Sequence, residues 1–267
     1  MADLFGDDSP PPPSAPDQPR ADAPLADRLR PRTLDEVVGQ DHLTGAEGTI
    51  GRMVTAGKLS SMILWGPPGT GKTTIARLLA DSVGMRFAAV SAVFSGVADL
   101  KKVFAEADKA AQAGQKTLLF VDEIHRFNRA QQDGFLPFVE RGTVTLVGAT
   151  TENPSFALNA ALLSRAQVLI LERLGHEALG ELLTRAEELE HPLPLTEDAR
   201  AALIASADGD GRFLLNQAET LYNAGLTEPL DPAGLGSFLQ RRVAVYDKDR
   251  DGHYNLISAL HKAVRGS

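Results

Sequence analysis

The sequence predicts an α/β protein, a three-layer αβα domain on a parallel sheet followed by a small all-α domain. Three observations carry this expectation. Short, nearly continuous apolar runs such as Met62-Ile63-Leu64-Trp65 alternate with amphipathic stretches, as strands do when crossover helices cover both faces of a sheet. A glycine-rich turn joins the first of these runs to the helical stretch after it. Past Arg173 the strand signals stop, and only helix-period segments follow.

Taken in order, residues 1–24 hold a four-proline run, further prolines at 16, 19 and 24, and almost no large apolar side chains. Such a segment cannot bury enough surface to offset its ordering entropy, so a disordered tail is expected. Within it Asp3-Leu4-Phe5 forms a small apolar hook in acidic surroundings. Residues 25–173 are expected to form the nucleotide-binding αβα domain. Its strands are Ser61–Trp65, Phe87–Val90, Thr117–Asp122 and Thr143–Ala149, and its helices span about 72–83, 97–113 and 129–140. A short helical stretch then leads to Ser164-Arg165. Helical patterns at about 176–190, 197–206, 211–224 and 232–241, separated by Pro192, Pro194, Gly209 and Pro229, predict a helical lid over residues 174–245. In residues 246–267, Leu256, Ile257, Leu260 and Val264 share one helix face with nothing after them to pack on it, so a longer protein is expected.

Composition narrows the function classes. There is no cysteine, and the six histidines lack metal-ligand spacing, so neither disulfides nor a structural metal is expected. No apolar run is long enough for a membrane span and no export signal is recognisable, which leaves a cytoplasmic location as the expectation. The net charge of −8 argues against a uniformly basic nucleic-acid coat. However, Asp3, Asp7, Asp8, Asp17 and Asp22 against Arg20 supply about half of that excess, and a local basic channel in an assembly of copies stays compatible with the rest.

The chemistry concentrates in a few motifs. Gly66-Pro67-Pro68-Gly69-Thr70-Gly71-Lys72-Thr73, with Thr74 following, matches the P-loop pattern between a strand and a helix. Its glycines let backbone N–H groups face phosphates, Lys72 reaches the β and γ oxygens, and Thr73 offers its hydroxyl to Mg²⁺. At the end of a later strand, Asp122 can order the magnesium water shell and Glu123 can polarise the attacking water. A carboxylate directly after the aspartate favours hydrolysis over transfer to a small acceptor. If the Thr143–Ala149 strand lies beside the Asp122 strand, Thr150 and Thr151 reach the same edge, where one hydroxyl can sense the γ-phosphate. Spacing alone assigns Arg165 no role, and His42, His125 and Trp65 read as structural.

In this order GPPGTGKT, LLFVDEIH, GATTENP, LLSRA and GDGRFLLN resemble an AAA+ ATPase. The longer phrases PRTLDEVVGQDHL, DEIHRFNRAQQDGFLPFVERGTVTLVGATTENPSF and HYNLISALHKAVRGS resemble the replication-associated recombination protein A family, relatives of the Werner-helicase-interacting protein, over roughly residues 25–267. The resemblance implies ATP and Mg²⁺ as cofactors, Thr151 as sensor 1, Arg165 as an arginine finger presented to a neighbouring subunit, and Arg212 as the lid's sensor 2. It also implies an adenine strip from Arg30 and Pro31 to Val37, Val38 and Gly39. It further implies a homotetramer in the full-length family, with weak or absent association expected of this chain. Also implied are DNA with single-strand/double-strand junctions as substrate and a nucleoid-associated location. Single-strand-binding protein and a sliding clamp are candidate partners; Asp3-Leu4-Phe5 resembles the end of clamp-binding peptides but lacks their glutamine. Two alternatives stand beside the leading reading of an ATPase of replication-fork maintenance: a clamp-loader-like subunit, and a nucleotide-switched binding module for a replication partner.

Overall fold

The computed structural model describes residues 22–247, with side chains to 239. The expectations for the tail before residue 22, including the Leu4-Phe5 hook, and for the segment after residue 247 lie outside the described residues.

The described residues begin with three short helices, α1 (Leu25–Arg28), α2 (Asp41–Thr44) and α3 (Thr49–Thr55). The αβα layers then follow as β1 (Met62–Trp65), α4 (Lys72–Ser82), β2 (Arg86–Ser91), α5 (Val97–Gln112), β3 (Thr117–Asp122), α6 (Arg129–Asp133), α7 (Leu136–Glu140), β4 (Val144–Thr150), α8 (Pro154–Ala157), α9 (Ala160–Leu163) and β5 (Gln167–Ile170). The strands form one parallel sheet in the order β2-β3-β4-β1-β5. Trp65 therefore stands opposite Thr150 and Val121 opposite Gly148, which brings the ends of the P-loop strand, the carboxylate strand and the threonine strand to one edge.

Alternation along each strand divides the core between two faces. Leu118 and Phe120 point with Leu64 and Ala149 toward Ile75, Ala76, Leu78 and Leu79 of α4, whose spacing of three and four residues makes one apolar stripe. Leu119 and Val121 point with Ile63 and Leu146 the other way, toward Leu100, Phe104 and Ala107 of α5 and the fully buried Phe135.

Two elements differ from the expectation. The helix foreseen over 129–140 is two helices, α6 and α7, with Phe135 driven into the core between them. Pro137, in the first turn of α7, has no N–H to continue the α6 ladder. The edge strand β5 went unforeseen: Val168-Leu169-Ile170 is short, follows Arg165 without a turn signal, and only Leu169 is buried.

The lid comprises α10 (His176–Leu189), α11 (Glu197–Ser206), α12 (Gly211–Tyr222) and α13 (Pro232–Asp247), close to the helices foreseen, with α13 running further than expected. Leu179, Leu183, Leu203, Leu214, Leu221 and Leu235 form its core. The fully buried Leu25 joins that core, and its N–H donates to Glu219 Oε1 at 3.0 Å. Arg28 pairs with Glu190. Helix α1, grouped by sequence with the αβα domain, thus packs against the lid. Leucines recurring at helix spacing cannot reveal which neighbouring core they enter.

Candidate functional site

The site starts at the end of β1. The Gly66 N–H donates to Thr150 O at 3.1 Å, which ties the start of the P-loop to the neighbouring strand. Gly69 and Gly71 have φ of 68° and 94°, left-handed backbone that suits glycine, and they turn the chain into α4. The N-terminus of that helix supplies free N–H groups and the positive end of its dipole, as an anion requires. Lys72 is 9% exposed and its Nζ donates to Gly66 O at 2.8 Å and Pro67 O at 2.5 Å. Thr70 Oγ1 closes the same turn on Pro67 O at 3.0 Å.

Burial pushes the Lys72 ammonium below its ordinary range; Glu123 and Asp122 pull it back up, Arg212 pushes it down, and Asp210 raises it. Carboxylates from the end of β3 and the charged start of α12 thus all act on one lysine. Thr73 Oγ1 and the Asp122 carboxylate have no hydrogen-bond or ion-pair partner among the described residues. Nor do those residues contain a cluster of three or more His, Cys, Asp or Glu suited to a metal. Magnesium held by one carboxylate, a hydroxyl, waters and substrate phosphates needs no such cluster, and Thr73 with Asp122 fits that kind of site.

Glu123 adopts φ 52° and ψ 45°, a left-handed conformation that costs a non-glycine residue about 1–3 kcal/mol. The turn after it is closed by Arg126 N–H on Glu123 O at 2.8 Å. Bent backward in this way, the glutamate leaves the line of β3 directly after Asp122. The two threonines after it in space divide the work. Thr150 is fully buried and its hydroxyl is engaged with His125 Nδ1 at 2.9 Å and the Glu152 N–H at 3.0 Å. Thr151, one residue beyond the strand, is exposed.

A cleft of about 700 Å³, open to solvent, lies between the P-loop, the segment after α1 and the lid. Arg30, Pro31, Val37 and Val38 line one side, Gly69, Thr70, Gly71 and Thr74 the floor, and Leu174, Leu182, Gly211, Arg212 and Leu215 the lid side. Gly66, Pro67, Pro68, Lys72 and Thr73 are not among the lining residues, since they form the turn and the helix start beneath. Gly39, expected in the adenine strip, is not there either. It makes a turn at φ 70° packed so closely that a Cβ would come 2.9 Å from Leu174 Cδ2. Ala26 and Leu29 were missed as lining residues because α1 reaches the cleft only by docking on the lid.

The lid touches the P-loop directly. Gly211 N–H donates to Gly69 O at 3.2 Å, and a Cβ on Gly69 would fall 1.8 Å from Asp210 Oδ1. Asp210 caps α12 by accepting the Phe213 N–H at 2.9 Å, so the helix bearing Arg212 starts against the phosphate loop.

Arg165 lies elsewhere. It follows α9, does not line the cleft, and pairs with Glu140 at 2.7 Å while donating to Ser164 Oγ and Ala161 O. Glu123 and Arg212 both act electrostatically on Lys72, whereas Arg165 is bonded to Glu140, Ser164 and Ala161 outside the cleft. His42 bonds through Nε2 to Ile170 O at 3.1 Å, a structural contact between α2 and the edge strand.

Comparison with known proteins matches residues 62–174 to the ATPase family associated with various cellular activities (AAA) and residues 189–265 to the AAA C-terminal domain. The replication-associated recombination protein A of Coxiella burnetii is 46% identical over 254 residues, covering 91% of this chain and 57% of that protein. The Escherichia coli protein of the same name is 45% identical over 255 residues with the same coverage. ATPase WRNIP1 of Dictyostelium discoideum is 42% identical over 270 residues, covering 92% of this chain and 31% of that protein. The chain therefore spans 57% of the length of the two bacterial relatives. Among solved structures, the RuvB Holliday junction branch migration motor of Thermotoga maritima superposes with a TM-score of 0.63 at 24% identity, over 80% of this chain and 72% of that one, a likeness of fold.

Proposed function

The chain belongs to the AAA ATPases, in the family of replication-associated recombination protein A and WRNIP1, and from that premise we propose that it hydrolyses MgATP at sites shared between neighbouring copies and spends the cycle on gapped, forked or end-containing DNA. The observation that carries this reading is the convergence on Lys72 of Asp122, Glu123 and the lid arginine Arg212, beside an open cleft lined by the P-loop and the lid.

In this reading the adenine sits between Pro31, Val37 and Val38 and the lid leucines. The P-loop N–H groups and Lys72 hold the phosphates. Thr73 and Asp122 would hold Mg²⁺, which offsets charge on the β and γ oxygens. Glu123 orients the attacking water, Thr151 senses the γ-phosphate, and Arg212 couples that phosphate to the lid. The lid's direct seat on Gly69 supports such coupling, because a shift of the phosphate loop must move the start of α12. Arg165, outside its own cleft and on an exposed helix end, serves a neighbouring copy in this reading.

The test is ATP turnover by an assembled chain of the relatives' length, with and without forked or gapped DNA. Stimulation by such DNA supports the reading, and equal rates across salt and protein concentration refute the DNA-dependent part.

A further inference from the structure

The catalytic carboxylate and the threonine strand are joined by His125, whose side chain is only 4% exposed. Its Nδ1 lies 2.9 Å from Thr150 Oγ1 and 3.3 Å from Glu123 Oε2, and its Nε2 lies 3.4 Å from Glu152 Oε1. The Glu123 carboxylate has no other hydrogen bond or ion pair among the described residues.

Thr150 Oγ1 accepts the Glu152 N–H at 3.0 Å and has Glu152 O at 3.2 Å to receive its own hydrogen. The 2.9 Å contact with Nδ1 ties the same hydroxyl to the imidazole. The same nitrogen stands at ion-pair distance, 3.3 Å, from Glu123 Oε2. Glu123 is already held by backbone bent into the left-handed region, so its φ and ψ are set, and this contact is the one ion pair of its carboxylate among the described residues.

We propose that His125 is a positioning residue for hydrolysis: bonded to Thr150 and in contact with Glu123 through Nδ1, it holds the Glu123 carboxylate in fixed relation to the end of β4, where Thr151 follows Thr150. The γ-phosphate sensor and the water-orienting group are then two ends of one rigid unit, Thr151-Thr150-His125-Glu123, and cannot move independently. The proposal rests on Glu123 being the group that orients the water.

Steady-state ATP turnover of the full chain tests it, with His125→Leu, His125→Asn and Glu123→Gln, singly and combined. His125→Leu should lower kcat about tenfold to a hundredfold through loss of orientation, with ATP affinity kept within about twofold. Asparagine carries an amide nitrogen near the Nδ1 position, so His125→Asn should recover most of that loss. Because His125 acts through Glu123, adding His125→Leu to Glu123→Gln should cost less than about twofold more. Unchanged kcat in His125→Leu overturns the proposal. So does an asparagine variant no better than leucine, or a loss shared equally by ATP affinity, thermal midpoint and kcat, since each assigns His125 to packing. If Glu123→Gln alone turns over like the wild type, the premise about Glu123 falls and the proposal with it, a failure recognisable without the histidine variants.

Discussion

Replacing Arg165 by alanine separates rate from stability. The side chain is 40% exposed and its ion pair with Glu140, itself 49% exposed, spans 2.7 Å. An exposed pair of this kind contributes about 0–1 kcal/mol. In a chain of this size that is a fall of no more than about 4 °C in thermal midpoint. An arginine finger acting on a transferring phosphoryl group contributes about 10³ to 10⁵ in rate, or roughly 4–7 kcal/mol of barrier. Arg165→Ala should therefore abolish measurable turnover in the assembly while leaving folding and nucleotide affinity nearly unchanged. Lys72→Ala should be equally inactive for a different reason, the loss of phosphate contact. When the two inactive variants are mixed at equal amounts and allowed to co-assemble, a productive site needs Lys72 from one copy and Arg165 from the next. With random association around a head-to-tail interface, about one quarter of the sites meet that condition. Turnover recovering toward a quarter of the wild-type rate, measured by phosphate release, is the expected result. No recovery with co-assembly verified by cross-linking, or near-normal turnover of Arg165→Ala alone, would refute the assignment in trans.

Further expectations follow from the P-loop and the sheet. The folded-state pKa of Lys72 is depressed below the ordinary lysine value of 10.5, so just below that pH the unfolded chain binds more protons and this group makes stability rise with pH. Lys72→Met should remove that part of the slope in chemical denaturation run from pH 8 to 10.5; an unchanged slope refutes it. Gly69→Ala puts a Cβ 1.8 Å from Asp210 Oδ1 at φ 68°, costing about 1–2 kcal/mol for the backbone and about 1 kcal/mol for the disturbed cap. Urea unfolding and a fluorescent-nucleotide titration should show both a less stable chain and weaker binding, and wild-type values in both would refute the lid contact. Gly148→Ala places a Cβ 2.8 Å from Ile63 Cδ1 and 3.0 Å from Ile124 Cδ1; about 1–3 kcal/mol of overpacking strain is expected in the melt, and no shift would mean the core yields there.

Much of the site was legible in sequence because it is local. The spacing of Gly66, Gly69, Gly71, Lys72 and Thr73 specifies a turn into a helix, and Asp122-Glu123 closes an apolar run that can only be a buried strand. Spacing did not divide Thr150 from Thr151, since both are hydroxyls at a strand end; the family resemblance alone singled out Thr151, and in the structure their burial separates them. His125 was read as packing for the same reason: its partners at 123, 150 and 152 include two that reach it only when β3 and β4 lie side by side. The break at Phe135 and the edge strand β5 were missed because a single buried side chain and a four-residue strand leave no period to detect.

By itself the sequence determined the layer order, the phosphate loop and the carboxylate pair, because strand and helix periods and backbone-specific glycines act over a few neighbouring residues. Which face Arg165 turns to, how α1 docks on the lid through Leu25 and Glu219, and how Asp210 comes to rest on Gly69 were decided only by the tertiary structure. Those contacts join residues far apart in the chain, or turn on which surface a side chain meets. Their energies come from burial and through-space charge, which no local pattern encodes.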